Sequence, residues 1–185
     1  MIEMTFTPEM RAILGKMKGK TFKSYECDLS QRWHRTVAAL RINLGRYAVD
    51  LTCINQSVAN WDVELDDPTV FACAERGLKD PFFPDDPVPS HVYMVNEVIT
   101  GVEVVNDTVS VNGDPIASID IALVVRTRHK TYTFARNIWF DYAIDVNVSD
   151  EVVIPYSAEE CADDWSDSAG EGGDVAAVTR VSIQL

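Results

Sequence analysis

Ile119-Asp120-Ile121-Ala122-Leu123-Val124-Val125-Arg126-Thr127-Arg128-His129-Lys130-Thr131-Tyr132-Thr133-Phe134 reads as two strands joined by a tight turn. The odd positions Ile119, Ile121, Leu123 and Val125 are all large and apolar, which predicts a strand with a single inward face. After the polar run Arg126 to Lys130 the apolar phase resumes at Tyr132 and Phe134. A two-residue turn at Arg128-His129 sets Val125 opposite Tyr132 and Leu123 opposite Phe134, so both strands turn their large side chains the same way. Phe140, Tyr142, Ile144, Val146 and Val148 then alternate with Asp141, Asp145 and Asn147, a third strand of the same kind. An antiparallel meander is the unit around which the chain is organised.

Working outward, Leu40, Ile42 and Leu44 alternate with Arg41 and Asn43 and, past Gly45-Arg46, the phase continues through Tyr47, Val49, Leu51 and Cys53. With Gly45 first in a two-residue turn, Leu44 faces Tyr47, Ile42 faces Val49 and Leu40 faces Leu51. Upstream, Tyr25, Cys27 and Leu29 alternate with Ser24, Glu26 and Asp28, while Phe22 falls out of phase and marks a bulge. Thr7-Pro8-Glu9 is a helix start, with a capping hydroxyl, proline at the first helical position and an acid in the first turn. Met10, Ile13, Leu14 and Met17 supply one apolar face, and Gly19 follows the end.

The middle of the chain is less regular. Trp61 to Leu65 and Thr69 to Ala74 read as short strands parted by Asp66-Asp67-Pro68. Asp80 to Pro89 carries four prolines and is an extended loop. Val92 to Val105 is β-rich with a kink at Gly101, and turns are expected at Asn106-Asp107 and at Asn112-Gly113-Asp114-Pro115. Residues 159–174 hold seven acids and three glycines, so about 157–174 is expected to be a flexible acidic insertion. Val175 to Leu185 then returns to strand character, with Val181, Ile183 and Leu185 in alternation. The expectation is one mainly β domain over residues 1–185. It has about nine to eleven short strands arranged as an antiparallel barrel, sandwich or strongly curved meander sheet, with one short N-terminal amphipathic helix.

The net charge of −13 is uneven. Residues 1–50 carry nine Lys or Arg against five Asp or Glu, a balance of +4, and residues 51–185 carry seven against twenty-four, a balance of −17. Phosphate is repelled by such a chain, so direct nucleic-acid binding is disfavoured and a basic partner protein is favoured. No apolar run approaches the roughly 18 residues of a membrane helix, and Met1 to Thr5 has no signal-peptide character, which points to the cytoplasm. Cys27, Cys53, Cys73 and Cys161 lack zinc or redox spacing, and the first two lie on apolar strand phases where a thiol acts as a small hydrophobe.

Signatures of catalysis are missing: no phosphate-binding loop, nucleophile elbow, zinc-protease helix or dinucleotide fingerprint occurs. His34, His91 and His129 sit in or beside connectors, and a triad would need His34 and His129 to converge near Asp50 or Glu26. Asp62, Glu64 and Asp66 share one side of a strand but lack the spacing of a calcium loop. No cofactor, metal or catalytic residue is therefore assigned. Three binding features remain. Phe82 and Phe83, with Asp85 and Asp86, have the composition of an interface anchor. Asp163, Asp164, Trp165 and Asp167 form an acidic segment suited to a basic groove. Arg126, Arg128, His129 and Lys130 concentrate positive charge at a hairpin tip that would contact an anion.

The function these features favour is a non-enzymatic acidic interaction module or inhibitor, comparable in charge and size to nuclease-immunity proteins and nucleic-acid charge mimics. Two readings from other classes stand beside it. One is a small-molecule-binding β-barrel with catalytic potential, lined by Tyr25, Trp33, Tyr47 and Tyr132. The other is a homo-oligomeric structural subunit whose terminal strand pairs between chains.

Overall fold

The computed structural model describes residues 1–28, 36–58, 68–82, 90–137, 143–168 and 175–185. In chain order the elements are β1 (Ile2–Met4), α1 (Pro8–Gly15), β2 (Thr21–Asp28), β3 (Thr36–Val37), β4 (Ala39–Asn43), β5 (Ala48–Asn55), β6 (Thr69–Arg76), β7 (Ser90–Val98), β8 (Gly101–Val111), β9 (Asp114–Arg126), β10 (Thr131–Arg136), β11 (Ile144–Ser149), α2 (Ala158–Ser168) and β12 (Ala176–Gln184).

The strands make two sheets rather than a barrel. The first runs β12-β8-β9-β10-β11-β3, with β1 added in parallel alongside the start of β9, and the second runs β6-β5-β4-β2-β7. All other pairings are antiparallel. The chain passes directly from one sheet to the other at two places. Ala38 separates β3 from β4. At the other crossing, Ile99 N donates to Lys20 O, just before β2 of the second sheet, while the next amide, Thr100 N, donates to Arg126 O in the first. That crossing stands where the sequence suggested only a kink at Gly101.

Both expected hairpins form in the expected register: Val125 pairs with Tyr132 and Leu123 with Phe134, and Ile42 pairs with Val49 and Leu40 with Leu51. Gly45 has φ +85°, the left-handed conformation that glycine reaches without steric cost, as the first residue of the two-residue turn. The Asn112-Gly113 turn has φ 53° and 92°, the mirror-image geometry that suits the right-handed twist of the strands it joins. The irregularity expected at Phe22 is present as a register shift between Phe22 and Ser24, but the extra residue lies on the partner strand β7, between Met94 and Glu97.

Three expectations are overturned. Asn106-Asp107 is no turn, because β8 runs unbroken through it. What the sequence marks there is a register shift between Val105 and Asn106, at which Ile121 is the extra residue on β9. That bulge changes which side the strand's residues face, so the odd positions do not share one face. Leu123 and Val125 pack between the sheets, whereas Ile119 and Ile121 pack on the opposite side of the first sheet. The phase was ambiguous because Ala122 and Val124 are also fully buried; a strand covered on both faces has no polar side to declare itself. Finally, Ala158–Ser168 is helical, not a loop. Phe140, Tyr142, and the strand expected at Trp61 to Leu65 lie outside the described residues.

Two apolar clusters follow from this layering. Between the sheets, Phe22 and Tyr25 of β2 meet Tyr132 and Phe134 of β10, with ring centroids 5.0 to 6.1 Å apart. Leu14 of α1 and Met17, just past its end, join the same cluster. On the far side of the first sheet, Val105, Val109, Ile119 and Val124 are covered by Ile154, Tyr156, Cys161 and Trp165. The first sheet is thus the middle of three layers. No helix among the described residues is long and apolar enough to cross a membrane.

Candidate functional site

The helix that the sequence reading missed carries the residues that it had singled out. Ser157 and Glu160 form a reciprocal cap: Ser157 N donates to Glu160 Oε2 at 2.8 Å, and Glu160 N donates to Ser157 Oγ at 3.0 Å. This is the Ser-x-x-Glu capping box, which satisfies two amide donors that would otherwise be orphaned at a helix start. Cys161 and Trp165, four residues apart, turn onto the outer face of the first sheet. Tyr156 donates its hydroxyl to Asp164. Ser166 Oγ donates to Ala162 O at 2.9 Å and accepts from Ala176 N at 3.1 Å, tying the helix to β12. The Ser157-Ala158-Glu159-Glu160 signature and the Cys161/Trp165 spacing were both in the sequence; acid and glycine content outweighed them.

With the apolar residues turned inward, Glu159, Glu160, Asp163 and Asp164 are all exposed. They occupy two rows at four-residue spacing, Glu159 with Asp163 and Glu160 with Asp164. The Ser157 amide and hydroxyl hold Glu160 below the ordinary carboxylate pKa. Burial, reinforced by the Asp164 carboxylate, pushes the Tyr156 phenol upward, so its proton stays in that hydrogen bond. The arrangement is locally unfavourable. Acids four apart repel, acids in the second half of a helix oppose its dipole, and the last turn has no basic residue. No Lys, Arg or His occurs anywhere in residues 137–179, which hold eleven Asp or Glu. The side chain of Asp167 lies outside the described residues, although its backbone is helical.

The other nominated residues lie elsewhere. Phe82 is half-buried beneath Arg41, with the guanidinium carbon 5.1 Å from the ring centroid. Arg41 is itself buried and grips Asp50 through Nε at 2.6 Å and Nη2 at 2.8 Å, while Nη1 donates to Asp80 O at 2.7 Å. The Phe82 ring therefore helps to fasten the start of its loop to the outer face of the second sheet. Phe83, Asp85 and Asp86 lie outside the described residues. At the β9–β10 turn, Arg126 is bonded to Glu103 and Thr131, Lys130 to Asp150 at 2.8 Å, and the His129 amide to Glu97. Arg128 has no ion-pair partner among the described residues. Half of this positive cluster is thus neutralised by the chain's own acids.

Of the aromatic residues proposed to line a pocket, three are described. Tyr25 and Tyr132 are packed into the ring cluster between the sheets, and Tyr47 is half-buried against the same core. Trp33, His34, Asp62, Glu64 and Asp66 lie outside the described residues. All four cysteines are buried, and burial raises Cys27 and Cys73 to about 12, too high for a nucleophile at neutral pH.

Several acids that contribute to the net charge are consumed internally. Asp107, fully buried, is held by Arg180 through two bonds of 2.8 Å. Asp120, also fully buried, accepts from Phe6 N at 2.8 Å, Asn106 Nδ2 at 2.9 Å and Arg11 Nη2 at 2.7 Å. These carboxylates hold strands and the N-terminal segment in place, which leaves α2 as the concentrated acidic surface among the described residues. No family model, curated protein or solved structure matches this chain.

Proposed function

We propose that the protein is a non-enzymatic acidic interaction module, of the immunity-protein or charge-mimic type, that binds a basic partner through the outer face of α2. The observation that supports this reading is the exposed run Glu159, Glu160, Asp163 and Asp164, in a stretch (137–179) without Lys, Arg or His, on a helix that is docked by its opposite face. A chain selected for stability alone has simple ways to relieve that repulsion, such as one lysine in the last turn; departures from a local rule without local compensation are typical of functional surfaces. At about 1.5 Å of rise per residue, the four carboxylates span about 7.5 Å of helix axis. Their linear charge density is comparable to one nucleic-acid strand, with about 3.4 Å per phosphate. Of the basic residues among the first fifty, Arg11 and Arg41 are committed to Asp120 and Asp50.

A partner recovered from the native host by pull-down at low salt is expected to be basic and to be released at high salt. The decisive variant is Glu159→Gln/Asp163→Asn, because neither residue takes part in the helix cap or in the Tyr156 contact. At about 0.5–1 kcal/mol per exposed charge, the double variant should weaken affinity for the purified partner by roughly tenfold at low salt with Tm no lower than that of the wild type, since it relieves an i,i+4 repulsion. Binding that is insensitive to salt, or to the double variant, would refute the proposal.

A further inference from the structure

Among the described edge strands, β7 is the longest that lacks the usual guards. Free strand edges are templates for pairing with other chains, and proteins protect them with charge, brevity or cover. β6 ends in Glu75-Arg76 and has α1 packed against it; β12 carries Arg180 and has α2 packed against it. β1 and β3 are only three and two residues long. β7 is nine residues long, and from Ser90 to Asn96 it has no Lys, Arg, Asp, Glu or Pro. Val92, Tyr93 and Met94 are 49%, 44% and 69% exposed. One side of β7 pairs with β2; its other side has no strand partner among the described residues.

We infer that β7 is a self-association edge, at which a second copy of this chain pairs antiparallel about a twofold axis through Tyr93. A twofold axis perpendicular to a sheet keeps each residue opposite one on the same face, so paired positions must sum to an even number. With Tyr93 on the axis, Val92 of one copy meets Met94 of the other on the outer face, and His91 meets Val95 on the inner face. Every exposed apolar side chain from Val92 to Met94 then gains an apolar or aromatic neighbour. Tyr93 already stacks on Tyr25, with centroids 4.8 Å apart and planes within 15°, and His91 packs edge-on against Tyr93 at 4.5 Å. The ring that would sit on the axis is therefore held in place before association.

The structure also limits the pairing. Asn96 has φ 59°, where β7 shifts register against β2 between Met94 and Glu97. The bulge ends the regular edge one residue beyond the paired segment, and Ser90 lies opposite it. A second copy suits this edge better than a foreign charged segment, because the paired stretch offers no charge for such a segment to read. Seven residues a side are well short of the roughly 20–30 of a permanent interface, so the dimer is concentration-dependent. The two second sheets would join as one ten-stranded sheet, with the α2 faces left outside the contact.

Sedimentation velocity from micromolar to millimolar protein tests this directly. The expected result is a reversible monomer–dimer equilibrium that tightens with added salt, since two molecules of charge −13 repel across an apolar contact. Met94→Lys should weaken association at least tenfold without lowering Tm, while Ile183→Lys on the β12 edge should leave it unchanged. Tyr93→Cys should form a disulfide-linked dimer under mild oxidation, and Val98→Cys should not, because only the axial pair meets its own copy at a bridgeable distance. A monomer at all concentrations, a dimer indifferent to Met94→Lys, or a dimer lost in Ile183→Lys would each overturn the inference. The opposite salt dependence of binding at α2 keeps the two tests separate.

Discussion

Arg11→Met examines whether the buried polar cluster holds the N-terminal segment on the body of the protein. Asp120 is fully buried, and Arg11 Nη2 lies 2.7 and 3.0 Å from its two oxygens. Methionine keeps much of the side-chain volume and helix propensity but leaves the carboxylate with only the amide donors of Phe6 and Asn106. Removing one partner of a buried pair costs about 3–5 kcal/mol. The Arg11 side chain is 25% exposed, and the screening this allows reduces the expected loss to about 2–3 kcal/mol at pH 7. For a chain of this size that corresponds to a Tm lower by about 5–10 °C.

The pH dependence carries the stronger test. Burial already raises the Asp120 pKa, opposed by the Asn106 and Phe6 amides and by Arg11, so removal of Arg11 raises it further. A carboxylate whose folded pKa exceeds its unfolded value loses stability as pH rises through the folded value. The deficit of the variant should therefore be full at pH 7 and shrink as the pH falls and Asp120 takes up a proton. Urea unfolding of both proteins at pH 7 and pH 4.5, with equal m-values, measures this, and hydrogen exchange should show faster opening of the α1 amides at pH 7. A loss below about 0.5 kcal/mol, or a loss equal at both pH values, would refute the reasoning.

Glu103 behaves in the opposite sense. Its bond from Arg126, aided by the Ser182 hydroxyl, lowers its pKa from 4.5 to about 2, so its contribution is present above about pH 4.5 and is lost as pH falls toward 2. Glu103→Gln should be less stable than the wild type at pH 6, and the gap in urea midpoint should narrow by pH 2.5. Gly45→Ala should cost about 1–2 kcal/mol by chemical denaturation, from the left-handed backbone alone. The added Cβ would meet Lys23 Cγ at an ordinary 3.6 Å, and Gly45→Asn, which tolerates positive φ, should cost less.

The two hairpins were legible because each is fixed by a few adjacent residues: a two-residue turn sets the register, and alternation on both arms agrees with it. Most of α2 was not, since its acids and serines favour solvent over helix and only tertiary docking of Cys161 and Trp165 offsets their repulsion. The placement of Phe82 was equally hidden. Its partner Arg41 is 41 positions into the chain and looked like an outward-facing strand residue, as indeed it is; what covers that face is decided by a distant loop. The α2 acids were identified in sequence, but their division into an exposed face depends on which side of the helix the sheet takes.

Sequence alone determined that this chain makes antiparallel strands with particular neighbours, that glycine or asparagine sits where the backbone must turn left-handed, and that carboxylates greatly outnumber cations. Those properties are local or additive, so they survive without knowledge of the rest of the molecule. Tertiary structure decided that the strands form two sheets, that the first is buried on both faces, which carboxylates are spent on internal arginines, and which edge strands the helices cover. Each of those outcomes depends on side chains brought together from far apart, as Arg11 is with Asp120 and Asp107 with Arg180, and neither partner carries any mark of the other in its own stretch of sequence.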